Sequence, residues 1–155
     1  MDLHSFSNAI LLFVLLLNLY ILGTSRLGTC IKMVALQGAL LSLLPVLMHG
    51  FTVHSLLLTT GAFFLKGLLI PWLLFRALRE VRIRREITPR IGFIATLILG
   101  TFATVGAFLF SNLLPLLPEH QHSLIIPASI ATLATGSLLL ITRSKAITQV
   151  LGYLI

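Results

Sequence analysis

Few side chains in this sequence could do chemistry, and the one that stands out is a lysine in the middle of an apolar run. In the stretch Thr59-Thr60-Gly61-Ala62-Phe63-Phe64-Leu65-Lys66-Gly67-Leu68-Leu69-Ile70-Pro71-Trp72-Leu73-Leu74-Phe75-Arg76, Lys66 lies 13 residues after Val53, where the run begins, and 10 before Arg76. Read as a membrane helix rising about 1.5 Å per residue, this puts the lysine roughly 15 Å from either border. A charge at that depth costs from about 2.5 kcal/mol on insertion scales to well over 10 in simulations. Lys66 is too deep to snorkel easily, so it is expected to face protein or water, or to be neutral. Pro71 is expected to leave the carbonyl of Gly67 without its helical partner, right beside the lysine. On a helical net Ser55, Thr59, Ala62 and Lys66 share one face, a small and polar stripe from one membrane surface to the lysine. The chemistry this suggests is proton transfer, because removal from water favours the neutral amine and an amine poised between two states can carry a proton. A structural role stands beside it: a lysine locked against helix-end carbonyls or a neighbour's carboxylate.

The other polar residues are read in the same two ways. Gly38, Ser42, Pro45 and His49 share one face of the preceding apolar run, with Gln37 next to it. Gln37 is either an interhelical hydrogen-bonding group or a polar station in a proton or water path. Pro45 is expected to kink its helix and free the carbonyl of Leu41. Asn18 is expected to bond to a neighbouring helix, and Asn8 to be interfacial. His49 and His54, five residues apart, have the spacing of metal ligands or proton-entry groups and are read as ordinary interfacial histidines, while the run Glu119-His120-Gln121-His122 has metal-binding residue types in a short loop that gives a metal no supporting partners. The charged stretch Arg76, Arg79, Glu80, Arg82, Arg84, Arg85, Glu86 and Arg90 offers a docking surface for an acidic soluble partner or for anionic lipid heads, or serves topology alone. No catalytic constellation emerges. No Gly-rich phosphate loop occurs, no nucleophile has a base, Cys30 is alone, and the acids Asp2, Glu80, Glu86 and Glu119 all lie in tails or loops. The chain is therefore read as non-catalytic and without a metal site or cofactor of its own. A proton path through it would need acidic groups or waters from partners.

The elements that must position these groups follow from composition. The chain has 155 residues, 57% of them hydrophobic and 10% charged, with mean hydropathy +1.07. That is an all-α integral membrane protein forming one polytopic domain, with no room for a separate soluble one. Apolar runs predict helices over about 5–23, 30–49, 53–78, 91–110 and 125–141, and 146–155 reads as the start of a sixth, too short to span. The first run lacks a basic leader and a small-residue cleavage site, so it is kept as a helix. Gly100 with Thr104, Ala103 with Ala107, and Ala128 with Ala131 and Thr135 form small faces suited to close packing. The loops after helices 1, 3 and 5 hold two, six and two Lys/Arg, and the only other one is Lys66. The positive-inside rule then puts the N-terminus outside and the arginine loop 76–90 in the cytoplasm, in a cell's inner membrane. Topology thus accounts for the +7 net charge without invoking nucleic acid.

Three stretches together resemble one family. Ser25-Arg26-Leu27 through Cys30 to Ala35-x-Gln37, then Ala62-Phe63-x-x-Lys66-x-Leu68-Leu69-x-Pro71, then Gln149-Val150-Leu151-Gly152-Tyr153-Leu154 look like the hydrogenase-4 component E family. Its members are membrane subunits of group 4 [NiFe] hydrogenases and formate hydrogenlyases, assemblies similar to respiratory complex I. The family is related to the small antiporter-type subunit of complex I. The resemblance implies a subunit that links antiporter-like subunits to the membrane anchor of a hydrogenase-type soluble arm and assists proton translocation. It implies NiFe and Fe-S centres in partner subunits, none in this chain. By position it carries over Lys66, with Gln37 and Pro71 beside it. In the family the last stretch continues into an intramembrane Glu-Asn-Gly motif and at least one more helix, whereas this sequence stops at Ile155. Either the sequence is incomplete or a partner shelters this end. A purely structural scaffold subunit and a small homo-oligomeric transporter are the alternative readings of the chain.

Overall fold

Backbone N–H and C=O groups in lipid have no water to bond to, so each segment must satisfy its own, and helices result. The computed structural model describes residues 3–80, 92–114, 124–143 and 146–155, which are nearly all helical, with no β-strand among them. The order is α1 (Leu3–Gly23), α2 (Leu27–Ser42), α3 (Leu44–His49), α4 (Val53–Ala62), a π-helical segment (Phe63–Leu69), α5 (Ile70–Glu80), α6 (Phe93–Leu113), α7 (Ile125–Thr142) and α8 (Ala146–Leu154). Five stretches are long and apolar enough to cross a membrane: Ser5–Gly23, Leu27–Met48, Val53–Arg79, Phe93–Leu113 and Ile125–Thr142. These are the five expected spans. The second begins three residues before its expected start at Cys30, because the Arg26 carbonyl accepts from both Thr29 and Cys30 and builds the first turn onto the loop.

Two departures from regular α-helix follow from proline. Between α2 and α3 the helix breaks at Leu43, two residues before Pro45. Leu43 N–H reaches back to the Leu40 carbonyl, a tightened turn where Pro45 has no N–H to offer. The second departure was not expected. Around Lys66 the chain is π-helical, and Ile70 N–H donates to the Leu65 carbonyl, five residues back. A proline ring clashes with the carbonyl four residues before it, here Gly67, and a wider turn relieves that clash. In this register the carbonyl facing position 71 belongs to Lys66. The expectation that Pro71 exposes the carbonyl of Gly67 rested on α geometry, whereas the last bond of the π segment spans five residues.

Helix α1 lies at the centre and touches α2, α6 and α7, while α4, the π segment and α5 form an outer layer against α2 and α3. Two apolar clusters are stacked along the bundle. One gathers Ile21, Leu22, Cys30, Ile31, Val34, Leu139 and Leu151 at the Arg26 end, and the other gathers Leu11, Leu15, Ala107, Ala128 and Ala131 at the opposite end. Small residues set the helix spacings. A β-carbon on Gly136 would lie 2.6 Å from the Gly152 carbonyl oxygen, and one on Gly152 would lie 2.9 Å from that of Gly136. So α7 and α8 meet backbone to backbone. Gly100 likewise leaves room for Leu22. The small face Ala128, Ala131 and Thr135 of α7 is buried, as are Gly100 and Ala107 of α6.

Gly136→Leu or Gly152→Leu is expected to lift α8 from α7 at a cost of about 1–3 kcal/mol, read as a lower thermal unfolding midpoint in detergent. Gly61→Ala should not lower that midpoint, since a methyl group there meets nothing within 4 Å.

Candidate functional site

Lys66 is held on the outer layer by the π segment, and its side chain is exposed on the surface of the bundle. Its base is pressed against α2: a β-carbon on Gly38 would lie 2.9 Å from Lys66 Cβ and 3.5 Å from the Lys66 carbonyl oxygen. Gly38 therefore has to be small for Lys66 to sit where it does. Gly67, next in the π segment, packs on Ala39. The lysine, Gly38, Ile70 and Pro71 line a small gap of about 10 Å³ together with Leu151 and Leu154 of α8. No Asp or Glu occurs in any of the five spans. Lys66 thus reaches out of the fold from mid-span toward whatever lies beside it.

The expected stripe leading to Lys66 is divided by the structure. Ser55 is buried and caps α4: its Oγ donates to the Gly50 carbonyl at 2.6 Å, and Thr52 Oγ1 accepts from Ser55 N–H at 3.2 Å. Thr59 lines an apolar crevice with Phe6, Leu43, Val46, Leu47 and Phe51, and its Oγ1 is buried without a partner. Of the docking arginines, Arg79 is exposed, whereas Arg82, Arg84 and Arg85 lie outside the described residues. The expected Glu119-His120-Gln121-His122 run also lies outside them, and His54 is exposed. Among the described residues no three His, Cys, Asp or Glu side chains gather.

Inside the bundle the polar groups occupy one level, between the two apolar clusters. On α1 Asn18 sits between Leu15 of one cluster and Ile21 of the other. On α2 Gln37 sits between Val34 and Leu41, and on α7 Thr132 and Thr135 lie between Ala131 and Leu139. Asn18 Nδ2 donates to Thr132 Oγ1 at 3.1 Å, the interhelical bond expected of it. Asn8 Oδ1 accepts from Leu124 N–H at 3.2 Å and so anchors the start of α7. Gln37 makes no interhelical hydrogen bond. Its side chain is 1% exposed, yet Nε2 and Oε1 have no partner in the chain, and neither does Asn18 Oδ1. Gln37 neighbours Gly38 in sequence but is buried in the bundle, whereas Lys66 is on the outside of α2. The two share a level and occupy different faces.

Sequence reasoning took Arg143 for a topology signal. It is fully buried. Its Nη2 donates to the Leu22 carbonyl at 2.7 Å, its guanidinium carbon lies 4.7 Å from the centre of the Phe93 ring, and Nε and Nη1 have no partner. It ties the end of α7 to the end of α1 and the start of α6. Burial pushes its pKa down from the usual guanidinium value. The signal was present: the buried positions 128, 131, 135, 139 and 142 of α7 run on at steps of three and four toward it.

The chain is 27% identical over 144 residues to the uncharacterized protein Rv0085 of Mycobacterium tuberculosis, an alignment covering 91% of this chain and 66% of the relative. The chain spans just under two thirds of that relative's length. No family model matches it, and no solved structure does.

Gln37→Leu is expected to hold or raise the thermal midpoint, because it removes two buried polar atoms that have no protein partner. A drop worth about 1–3 kcal/mol would mean instead that both amide atoms are satisfied in the native state.

Proposed function

We propose that this chain is a non-catalytic membrane subunit of a group 4 membrane-bound hydrogenase or a related complex I-like redox assembly. It links antiporter-like subunits to the membrane anchor of a hydrogenase-type soluble arm and assists proton translocation. The reading is supported by the three motifs that resemble the hydrogenase-4 component E family. The observation that carries it is Lys66, exposed at mid-span in a chain whose spans contain no carboxylate. An amine facing hydrocarbon is costly, and a partner helix bearing a glutamate or aspartate removes that cost. Shared between amine and carboxylate, a proton can sit on either side, and the pair becomes a relay. Gln37 and Asn18 supply spare hydrogen-bonding capacity at the same level, where waters or a partner's side chains extend the relay. The NiFe and Fe-S centres and the electron path belong to the partners. In this reading the assembly lies in the inner membrane, with the N-terminus outside and loop 76–90 in the cytoplasm.

Mild-detergent purification with mass spectrometry tests the assembly, and antiporter-like and hydrogenase-type subunits are expected to come along. A chain that purifies alone overturns it. Within the assembly, Lys66→Ala is expected to leave the subunits together and abolish the proton-coupled part of turnover. An assembled Lys66→Ala variant with full coupling would sink the proton role.

A further inference from the structure

The outer face of α5 carries a second pattern, independent of the assembly reading. Trp72, Arg76 and Arg79 recur at steps of four and three and are all exposed. The Arg76 guanidinium lies over the Trp72 ring, 5.8 Å from its centre. With Phe75 these three residues line an open surface cleft of about 350 Å³. Towards mid-membrane the same outward face continues as Leu69 and Leu65, exposed by 39% and 53%. Along one line the helix therefore presents apolar rail, indole, then two guanidinium groups, and the line ends where the span ends, at Arg79.

We propose that this line is a binding site for an anionic phospholipid, with its phosphodiester on Arg76 and Arg79, its glycerol region at Trp72 and an acyl chain along Leu69 and Leu65. Each part of the lipid meets its chemical match in the right order. Guanidinium groups bind phosphate oxygens through paired N–H donors. The Trp72 ring holds the Arg76 guanidinium beside it, next to the exposed Arg79. An indole suits the headgroup level, where one side is apolar and the other wet. A soluble acidic protein would meet the two arginines but would have no use for the leucine rail, which lies in hydrocarbon. Lys66 is not among the residues that line this cleft.

Native mass spectrometry of the full chain in mild detergent reads the site. The chain is incubated with phosphatidylglycerol or phosphatidylcholine of matched acyl chains. Both lipids carry the phosphodiester, but only phosphatidylcholine adds a choline cation, which repels the two arginines, so phosphatidylglycerol is expected to be retained at least about tenfold better. The double variant Arg76→Gln/Arg79→Gln should bring its retention down to that of phosphatidylcholine, while Arg26→Gln, at the same end of the bundle but off this helix, should not change it. Circular dichroism checks that the variants fold. If the double variant does not, Arg79→Gln alone, at the exposed end of the helix, carries the same expectation at smaller amplitude. Equal retention of the two lipids, or retention unchanged by the arginine variants, overturns the proposal. Displacement by millimolar inorganic phosphate overturns it too, since that marks a site for free anions rather than for a lipid.

Discussion

Apolar surface does not drive helices together in lipid, because the surrounding tails are as apolar as leucine; close contact between backbones does. Everything in this chain rests on a few places where a missing side chain allows that contact. Gly136 and Gly152 bring α8 onto α7, Gly100 admits Leu22 of the central helix, and Gly38 admits Lys66. The first two build the inner bundle around α1. The third attaches the outer layer and fixes the height of Lys66, the lysine at mid-span. A single device therefore governs both the fold and its candidate site.

The polar groups show how a membrane interior is rationed. Ser and Thr side chains return their hydroxyls to carbonyls four residues back in their own helices, as at Thr96, Thr104 and Thr135. Asn18 spans two helices and Arg143 joins three segments. Gln37 does neither, and Lys66 points outward. These two residues mark where the chain's own resources stop, and they lie on different faces of α2, about 100° apart. A functional reading gains from this asymmetry: the inner site has hydrogen-bonding capacity and no charge, the outer one has a charge and no counter-charge within the spans.

Much of the fold was legible from hydropathy alone, because about twenty apolar residues in a row have few structural options. The five spans, the break before Pro45, the buried small faces and the Asn18 bond to a neighbouring helix all followed from residue types and spacing. The site was less legible, for three physical reasons. The π segment looks like any apolar helix, since its width is decided by the proline ring and by what Gly38 allows across the interface. Ser55 falls on the lysine's face by arithmetic, yet the pair Thr52 and Ser55 has capping-box spacing, and the cap takes the hydroxyl. Arg143 was weighed as a charge in a loop, whereas its position on the inward stripe of α7 made it a packing residue. In each case a local pattern gave way to a neighbour that one helix cannot reveal.

The wide turn at Phe63–Leu69 has a consequence for how this span can change over evolutionary time. A π segment holds one residue more than an α-helix would over the same arc, as if it had been slipped into a finished helix. Deleting a residue there closes the turn and leaves α4 and α5 facing as they do now. Deleting one from Val53–Ala62 or Ile70–Arg79 turns everything beyond it by about 100°. That rotation would carry Trp72, Arg76 and Arg79 off their face, or detach the cap from the lysine. The span's length is free to vary at the lysine itself, the place where its chemistry is least free to change.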